Sequence, residues 1–275
     1  MAEPFSDSID IDVNVVDAKP HVRSETDSRR ASLASLLGGA SQKASGLHFR
    51  ALQCEVKRKS DSKLILKDCN GSFPSGTVTA IMGPSGAGKT TFLEILGQRV
   101  HIKKSKVMAI SGDVGLDKER MTCSLFRERC AFVPQHDLLW ATLTPREHFV
   151  YSLSFRRSAG KQGTDDGLIN RLLAQLGLSK CADTVAGGQF LKGCSGGQQR
   201  RTSIGIEIIS QPELLLLDEP TSGLDAHSAL SITTVLAYLA KRMSMTIALT
   251  IHQPSTYVWD AFNLVMVSRL APCAL

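Results

Sequence analysis

A chain of 275 residues, 43% of them hydrophobic, carries enough apolar material for one large domain or two small ones. Its net charge of +6 comes from small basic groups, Lys57-Arg58-Lys59, Lys103-Lys104-Ser105-Lys106 and Arg200-Arg201, with no aromatics interleaved to stack on bases; solvated faces and a small anionic ligand explain that charge better than nucleic acid does. Seven cysteines without a C-x-x-C pair or a Cys/His ligand spacing favour a reducing compartment; the acidic, polar N-terminus is no secretory signal, and no window approaches the ~18 to 20 apolar residues of a membrane span.

Residues 1 to about 45 are rich in Ser, Asp and Arg and read as a disordered tail. Within it, Arg29-Arg30-Ala31-Ser32 has the form of a basophilic kinase site, though a plain solvated polar tail explains it better, and Ser35-Leu36-Leu37 suggests a helical turn ended by Gly38-Gly39. Leu47 to Val56 and Leu64-Ile65-Leu66 read as strands, with turn chemistry at Asn70-Gly71 and at Pro74-Ser75-Gly76. They form an antiparallel layer leading into Thr77–Met82, a short β-branched run with the character of a buried strand.

Directly after that strand comes Gly83-Pro84-Ser85-Gly86-Ala87-Gly88-Lys89-Thr90, a match to G-x-x-x-x-G-K-[ST], and Thr91 onward reads as a helix start. Strand, glycine loop and helix N-terminus together make an anion trap, because loop N–H groups converge on phosphates and the helix dipole favours negative charge. The glycines let the backbone turn and approach the ligand, Lys89 places a charge on the β- and γ-phosphates, and the Thr90 hydroxyl is a hard ligand for Mg²⁺. The following stretch, His101 to Arg129, has no clear pattern beyond Ser111-Gly112-Asp113-Val114, a turn entering a strand. Cys130–Val133 is a short strand closed by Pro134-Gln135. Residues from about 144 to 180 are mainly helical, with Thr144-Pro145-Arg146-Glu147 as a cap and Leu168, Leu172, Leu173 and Leu176 at helical spacing before Gly177.

Ser195-Gly196-Gly197-Gln198 opens another helix and is a second glycine turn with the same anion-binding physics. Leu214–Leu217 is wholly apolar, a strand buried on both faces, and it ends in Asp218-Glu219-Pro220. Beside a phosphate loop, Asp218 is the acid that holds Mg²⁺, and Glu219 polarises a water for in-line attack on a γ-phosphate. Asp225–Met243 is a helix, Thr246–Ile251 a further buried strand, Pro254–Phe262 helical and Asn263–Ser268 a last strand. Alternating β and α with buried strands means an α/β fold with a mostly parallel sheet covered by helices.

One nucleotide does not need two glycine loops from one chain; two chains meeting head to tail would use both. Ser-Gly-Gly-Gln between the phosphate loop and the acidic strand end resembles the signature of the ABC ATPases. Thr221-Ser222-Gly223-Leu224-Asp225 resembles their D-loop, Gln135 stands at their Q-loop glutamine and His252 at their H-loop histidine. Order and spacing agree over about residues 46 to 270, and Arg200–Glu207 with Ile251-His252-Gln253-Pro254-Ser255 is similar to the G subfamily of half-size transporters.

This resemblance implies a P-loop NTPase fold with an antiparallel β subdomain and a helical subdomain at about 136 to 210, within an ATP-binding domain spanning 46 to 275. It implies ATP and Mg²⁺ as cofactors, with Gly83 to Thr91 on the nucleotide and Thr90, Gln135 and Asp218 on the metal. Glu219, His252 and Gln135 would carry the chemistry, while Ser195, Gly196, Gly197 and Gln198 would bind ATP held by the opposite chain and Asp225 would couple the two sites. The implied partners are a second ATP-binding domain, in a homo- or heterodimer, and a transmembrane domain, which places the chain at the cytoplasmic side of a membrane.

Three departures stand out. Cys54 holds the place where the family often has an aromatic for the adenine, Cys194 replaces the usual Leu or Val before the signature serine, and neither the closing hairpin nor the membrane helices follow Ser268. The chain thus reads as a cut-short gene product, a fragment or an incomplete gene model. Two other readings compete with a transporter ATPase: a chain that binds ATP without turnover, and a soluble ABC ATPase. Against the second, only about a hundred residues separate the two glycine loops, with no heptad run, and there is one cassette.

Overall fold

The computed structural model describes residues 14–17, 46–58, 61–100, 107–156, 165–188, 190–252, 254, 256–259 and 261–267. Its strands are β1 (Asn14–Asp17), β2 (Gly46–Arg58), β3 (Asp61–Pro74), β4 (Val78–Met82), β5 (Val107–Leu116), β6 (Glu119–Arg120), β7 (Cys130–Val133), β8 (Leu214–Leu217), β9 (Thr246–Ile251) and β10 (Leu264–Val267). The helices are α1 (Lys89–Leu96), α2 (Cys123–Arg129), α3 (Pro145–Arg156), α4 (Asp166–Gln175), α5 (Gly196–Ile208), α6 (Ala226–Met243) and α7 (Thr256–Trp259), with a 3-10 turn at Ser179–Cys181.

Two sheets result, an α/β arrangement as expected. The larger has the order β1-β10-β4-β9-β8-β7, parallel except for β1 at the edge, and the smaller is antiparallel, β3-β2-β5-β6. Every residue of β7, β8 and β9 is buried, which is why their sequences are largely apolar, with two threonines in β9, rather than alternating. The two-residue period sorts their side chains between two cores. Val78 and Ala80 of β4, Leu215 and Leu217 of β8, and Ile247 and Leu249 of β9 face a core shared with α3 to α6. Ile81, Leu214, Leu216 and Ala248 face the other, where Phe92, Leu93 and Leu96 of α1 pack under the antiparallel sheet. The Phe49 ring sits edge-on to Phe73 and Phe92, at 5.4 and 5.2 Å between centroids.

On the helical side, α3 begins with a reciprocal cap: the Thr144 hydroxyl accepts from the Glu147 N–H, and the Glu147 carboxylate accepts from the Thr144 N–H. Helix α5 lies close against α3 because it carries Gly205; a Cβ there would stand 2.4 Å from the Phe149 ring and 2.6 Å from Leu176.

Several local expectations are corrected. Asn70-Gly71 does not reverse the chain but lies inside β3, where the Asn70 side chain accepts the Ala51 N–H of β2 at 2.8 Å and donates to Asp68 O at 2.8 Å. Ser111–Val114 likewise lies inside β5. Both are bulges: Ala51, Asp68 and Gly112 take φ of +47°, +44° and +100° on three neighbouring strands, bending the sheet at one level. Helix α2 lay hidden in the patternless stretch; Thr122 caps it through the Leu125 N–H. Between Pro254 and Phe262 only Thr256–Trp259 is helical among the described residues. Asn14–Asp17, within the expected tail, pairs with β10 as an edge strand. The rest of that tail, including Arg29–Ser32 and Ser35–Gly39, lies outside the described residues, as does Ser268.

Candidate functional site

The glycine loop leaves the C-terminal end of β4, in the middle of the parallel sheet, and feeds α1, the position from which an open α/β sheet binds its ligand. Gly86 and Gly88 hold φ of +80° and +79°, and a Cβ on Gly88 would stand 3.0 Å from the Ile65 side chain of β3. Helix α1 has no side-chain cap and no acid in its own first turn, which leaves its N-terminal N–H groups open to an anion. Lys89 is buried, and its ammonium donates to the carbonyls of Gly83 at 2.8 Å and Pro84 at 2.9 Å, folding over the loop it belongs to. Burial pushes its pKa below the ordinary lysine value, and the nearby carboxylates of Glu219 and Asp218 oppose that shift.

Strand β9 lies between β4 and β8, yet the motifs on those two strands meet. The Thr90 hydroxyl donates to Asp218 Oδ1 at 3.2 Å. Thr250, buried on β9, donates to the same Asp218 oxygen at 2.6 Å and accepts the Glu219 N–H at 2.8 Å. Gln135, past the end of β7, donates from Nε2 to Glu219 Oε2 at 2.8 Å. Glu219 itself has φ +43°, a left-handed backbone that costs a non-glycine residue about 1 kcal/mol or more, held here by its neighbours.

Arg200, on α5 and buried, ties the same turn down from behind. Its guanidinium donates to the carbonyls of Pro134 (2.7 Å), Asp218 (3.0 Å) and Pro220 (3.2 Å) and to the carboxylate of Asp137 (2.8 Å).

The second glycine loop forms a separate cluster. Ser195 caps α5 in a reciprocal pair with Gln198: its hydroxyl accepts the Gln198 N–H, and the Gln198 side chain accepts the Ser195 N–H. Asp225 caps α6 by accepting the Ser228 N–H, and hydrogen bonding from the Ser228 hydroxyl, then from that N–H, holds its carboxyl below the usual range. These two helix starts touch, since a Cβ on Gly197 would stand 2.7 Å from the Ser228 hydroxyl and one on Gly196 3.6 Å from Leu224. Ser195, Gly196 and Asp225 are exposed. His252 lies exposed just past β9, with no hydrogen bond to either cluster among those described, and Gln253 and Ser255 lie outside the described residues.

Of the residues read from sequence, Lys89, Thr90, Gln135, Asp218 and Glu219 thus come together, and Ser195 to Gln198 join Asp225 elsewhere. Cys54 is corrected: it is fully buried in the core under the antiparallel sheet, its pKa pushed up to about 11 by burial, and it presents no surface to a base. Cys194 is also buried, and its thiol donates to Thr184 O at 3.6 Å, bracing the second loop from inside. Sequence reasoning missed Thr250 and Arg200. A polar residue in an otherwise apolar strand was the available signal for Thr250; Arg200 sat within a motif, where its burial left no trace.

The donor set suits a divalent cation beside a polyphosphate. Thr90 and Asp218 converge two hard oxygens next to a lysine-bearing anion loop. A family model described as "ABC transporter" matches residues 66–222, over half of the chain, and the chain belongs to the ABC transporter family. It is 39% identical over 220 residues to "ABC transporter G family member 1" of Dictyostelium discoideum, covering 78% of this chain and 27% of that protein. It is 41% identical over 221 residues to "ABC transporter G family member STR2" of Medicago truncatula, 78% of this chain and 30% of that protein. To "ABC transporter ATP-binding protein/permease wht-1" of Caenorhabditis elegans it is 41% identical over 206 residues, 73% of this chain and 30% of the relative. The chain therefore spans less than a third of the length of these three relatives. The expected likeness to the G subfamily is borne out by the first two. No helix among the described residues is long and apolar enough to cross a membrane.

Proposed function

We propose that the chain binds and hydrolyses ATP as the nucleotide-binding domain of a G-type ABC half-transporter, two such domains closing on two nucleotides. One observation carries the reading: the residues for one nucleotide fall into two clusters on the same chain. The phosphate loop, Thr90, Asp218, Glu219 and Gln135 form one hydrogen-bonded cluster, while Ser195 to Gln198 and Asp225 form a second, which exposes Ser195, Gly196 and Asp225. A second chain turned head to tail completes each first cluster with the other's second.

In the first cluster, Lys89 exchanges two carbonyl partners for phosphate oxygens, whose negative charge compensates the desolvation of its ammonium. Glu219 keeps one carboxylate oxygen on Gln135 and turns the other to a water for in-line attack. Thr90, Asp218 and Gln135 would hold Mg²⁺, which when bound supplies charge neutralisation at the β- and γ-phosphates. His252 then closes over the γ-phosphate, and phosphate release reopens the pair. Leu138 and Trp140, shortly after Gln135, and Tyr151 and Phe155 on α3 are exposed; this apolar surface supports docking of a membrane domain that would hold the chain at the cytoplasmic face.

The test is ATPase rate against protein concentration, with Glu219→Gln beside the parent. The expected result is a rate that rises faster than linearly and disappears in E219Q. A parent chain that binds no ATP, or a rate unchanged in E219Q, overturns the assignment. Binding without turnover at any concentration restricts hydrolysis to the longer protein.

A further inference from the structure

The turn that carries Asp218 and Glu219 is held from two sides, and the two sides differ in kind. Its carbonyl oxygens go to Arg200, at Asp218 and Pro220. Its donor and its carboxylate go to Thr250: one buried hydroxyl accepts the Glu219 N–H at 2.8 Å and donates to Asp218 Oδ1 at 2.6 Å. A hydroxyl is the smallest group able to do both at once, having one donor and free lone pairs. The neighbouring positions of β9, Leu249 and Ile251, are apolar and face the helical core; Thr250 lies on the other side with Thr246 and Ala248, and it is the one of those three whose side chain reaches the acidic turn among the hydrogen bonds described. The same strand ends one residue before His252.

We infer that Thr250 is a positioning residue for the hydrolysis proposed above: its hydroxyl sets the rotamer of the metal-facing carboxylate and pins the backbone of the water-facing one. The inference rests on the ATPase reading and goes beyond it. With the hydroxyl in place, Asp218 Oδ1 receives two donors, from Thr250 and from Thr90, and its carboxylate is held toward the phosphate loop. The Glu219 N–H, if left without a partner, frees a left-handed residue to relax, which swings its carboxylate off Gln135. Partners that orient a metal-facing ligand without touching the metal commonly change metal affinity or activity by about 10- to 100-fold when removed.

The test uses Thr250→Val, which keeps shape and removes the hydroxyl, Thr250→Ala in case the valine does not fold, and Thr250→Ser, which restores the group. The readouts are thermal melting, affinity for a fluorescent ATP analogue with Mg²⁺ and with chelator, and ATPase rate. The parent is expected to bind the analogue more tightly with Mg²⁺ than with chelator, and a parent with equal affinities overturns the positioning role. The expected result is that T250V loses about tenfold of that strengthening, leaves the metal-free affinity unchanged, and lowers the ATPase rate by about 10- to 100-fold, while T250S behaves as the parent. A T250V chain with the parent's Mg²⁺ response overturns the positioning role while the ATPase reading stands. An equal loss with and without Mg²⁺, or no rescue by serine, assigns Thr250 to packing alone and also overturns it. A parent chain that binds no nucleotide overturns both.

Discussion

Two buried side chains, Thr250 and Arg200, decide how the acidic turn is presented, and they act by different physics. Thr250 contributes hydrogen bonds to a carboxylate and a strained N–H; Arg200 contributes charge-assisted bonds to four carbonyls, of Pro134, Gln135, Asp218 and Pro220, and to one acid. Arg200→Met leaves those carbonyls and Asp137 unpartnered, and the expected destabilisation is about 3 to 5 kcal/mol in urea unfolding. Asp137→Asn, which keeps an acceptor at a less buried place, should cost well under half of that. If the two variants cost the same, the guanidinium serves Asp137 alone and its bonds to the carbonyls carry no weight.

Among the elements, the contact of α5 with α3 matters most, because α5 bears both the second glycine loop and Arg200. Gly205 permits that contact. Gly205→Ala gains up to about 1 kcal/mol of helix propensity but forces its methyl into Phe149 and Leu176, so net destabilisation of about 1 to 3 kcal/mol is expected. Adding Phe149→Leu makes room; the double variant should be less destabilised than the sum of the singles, measured as a double-mutant cycle. Additive costs would show that the helices already separate enough to admit a Cβ. The same helix starts with the Ser195–Gln198 cap, and Ser195→Ala should cost about 1 kcal/mol by removing it.

Of the two cores, the one around Phe92 holds the two sheets together, and at the surface Arg129 ties them as well. That guanidinium, at the end of α2, bonds Glu213 beside β8 (2.8 Å), Glu119 on β6 (2.9 Å) and Asp117 (3.2 Å), so it bridges the parallel sheet to the antiparallel one. Arg129 holds the Glu213 carboxyl below the usual range. A carboxylate lowered in the folded state stabilises fully above its unfolded value, about 4.3, and the contribution is lost as pH falls through the depressed folded value. Glu213 is half exposed, so solvent limits this to about 1 kcal/mol or less. Urea midpoints for the parent should therefore be flat above that range and fall below it, and Arg129→Met should flatten the acid slope. An unchanged slope would place the acid sensitivity elsewhere.

What the sequence by itself determined about this protein is whatever depends on neighbours along the chain. The runs Leu214–Leu217 and Thr246–Ile251 are strands as read, because burial on both faces selects apolar and β-branched residues over an alternating pattern. The glycine loop, the Thr144 cap and the acidic strand end are legible for the same reason: each is a local arrangement of residue types that only one backbone path satisfies. The tertiary structure alone decided what depends on distant partners. Asn70-Gly71 looks like a turn until Ala51, 19 residues away, takes up its side chain and makes it a bulge. Thr250 looks like one more β-branched strand residue until Asp218, 32 residues away, supplies its acceptor. Arg200 looks like part of a basic surface group until Pro134, 66 residues away, shows it buried. A polar side chain carries no mark in sequence of which buried partner will satisfy it. That pairing is set when the two sheets and the helical layer close on one another, and the closing is also what brings the phosphate loop and the two acids into one cluster.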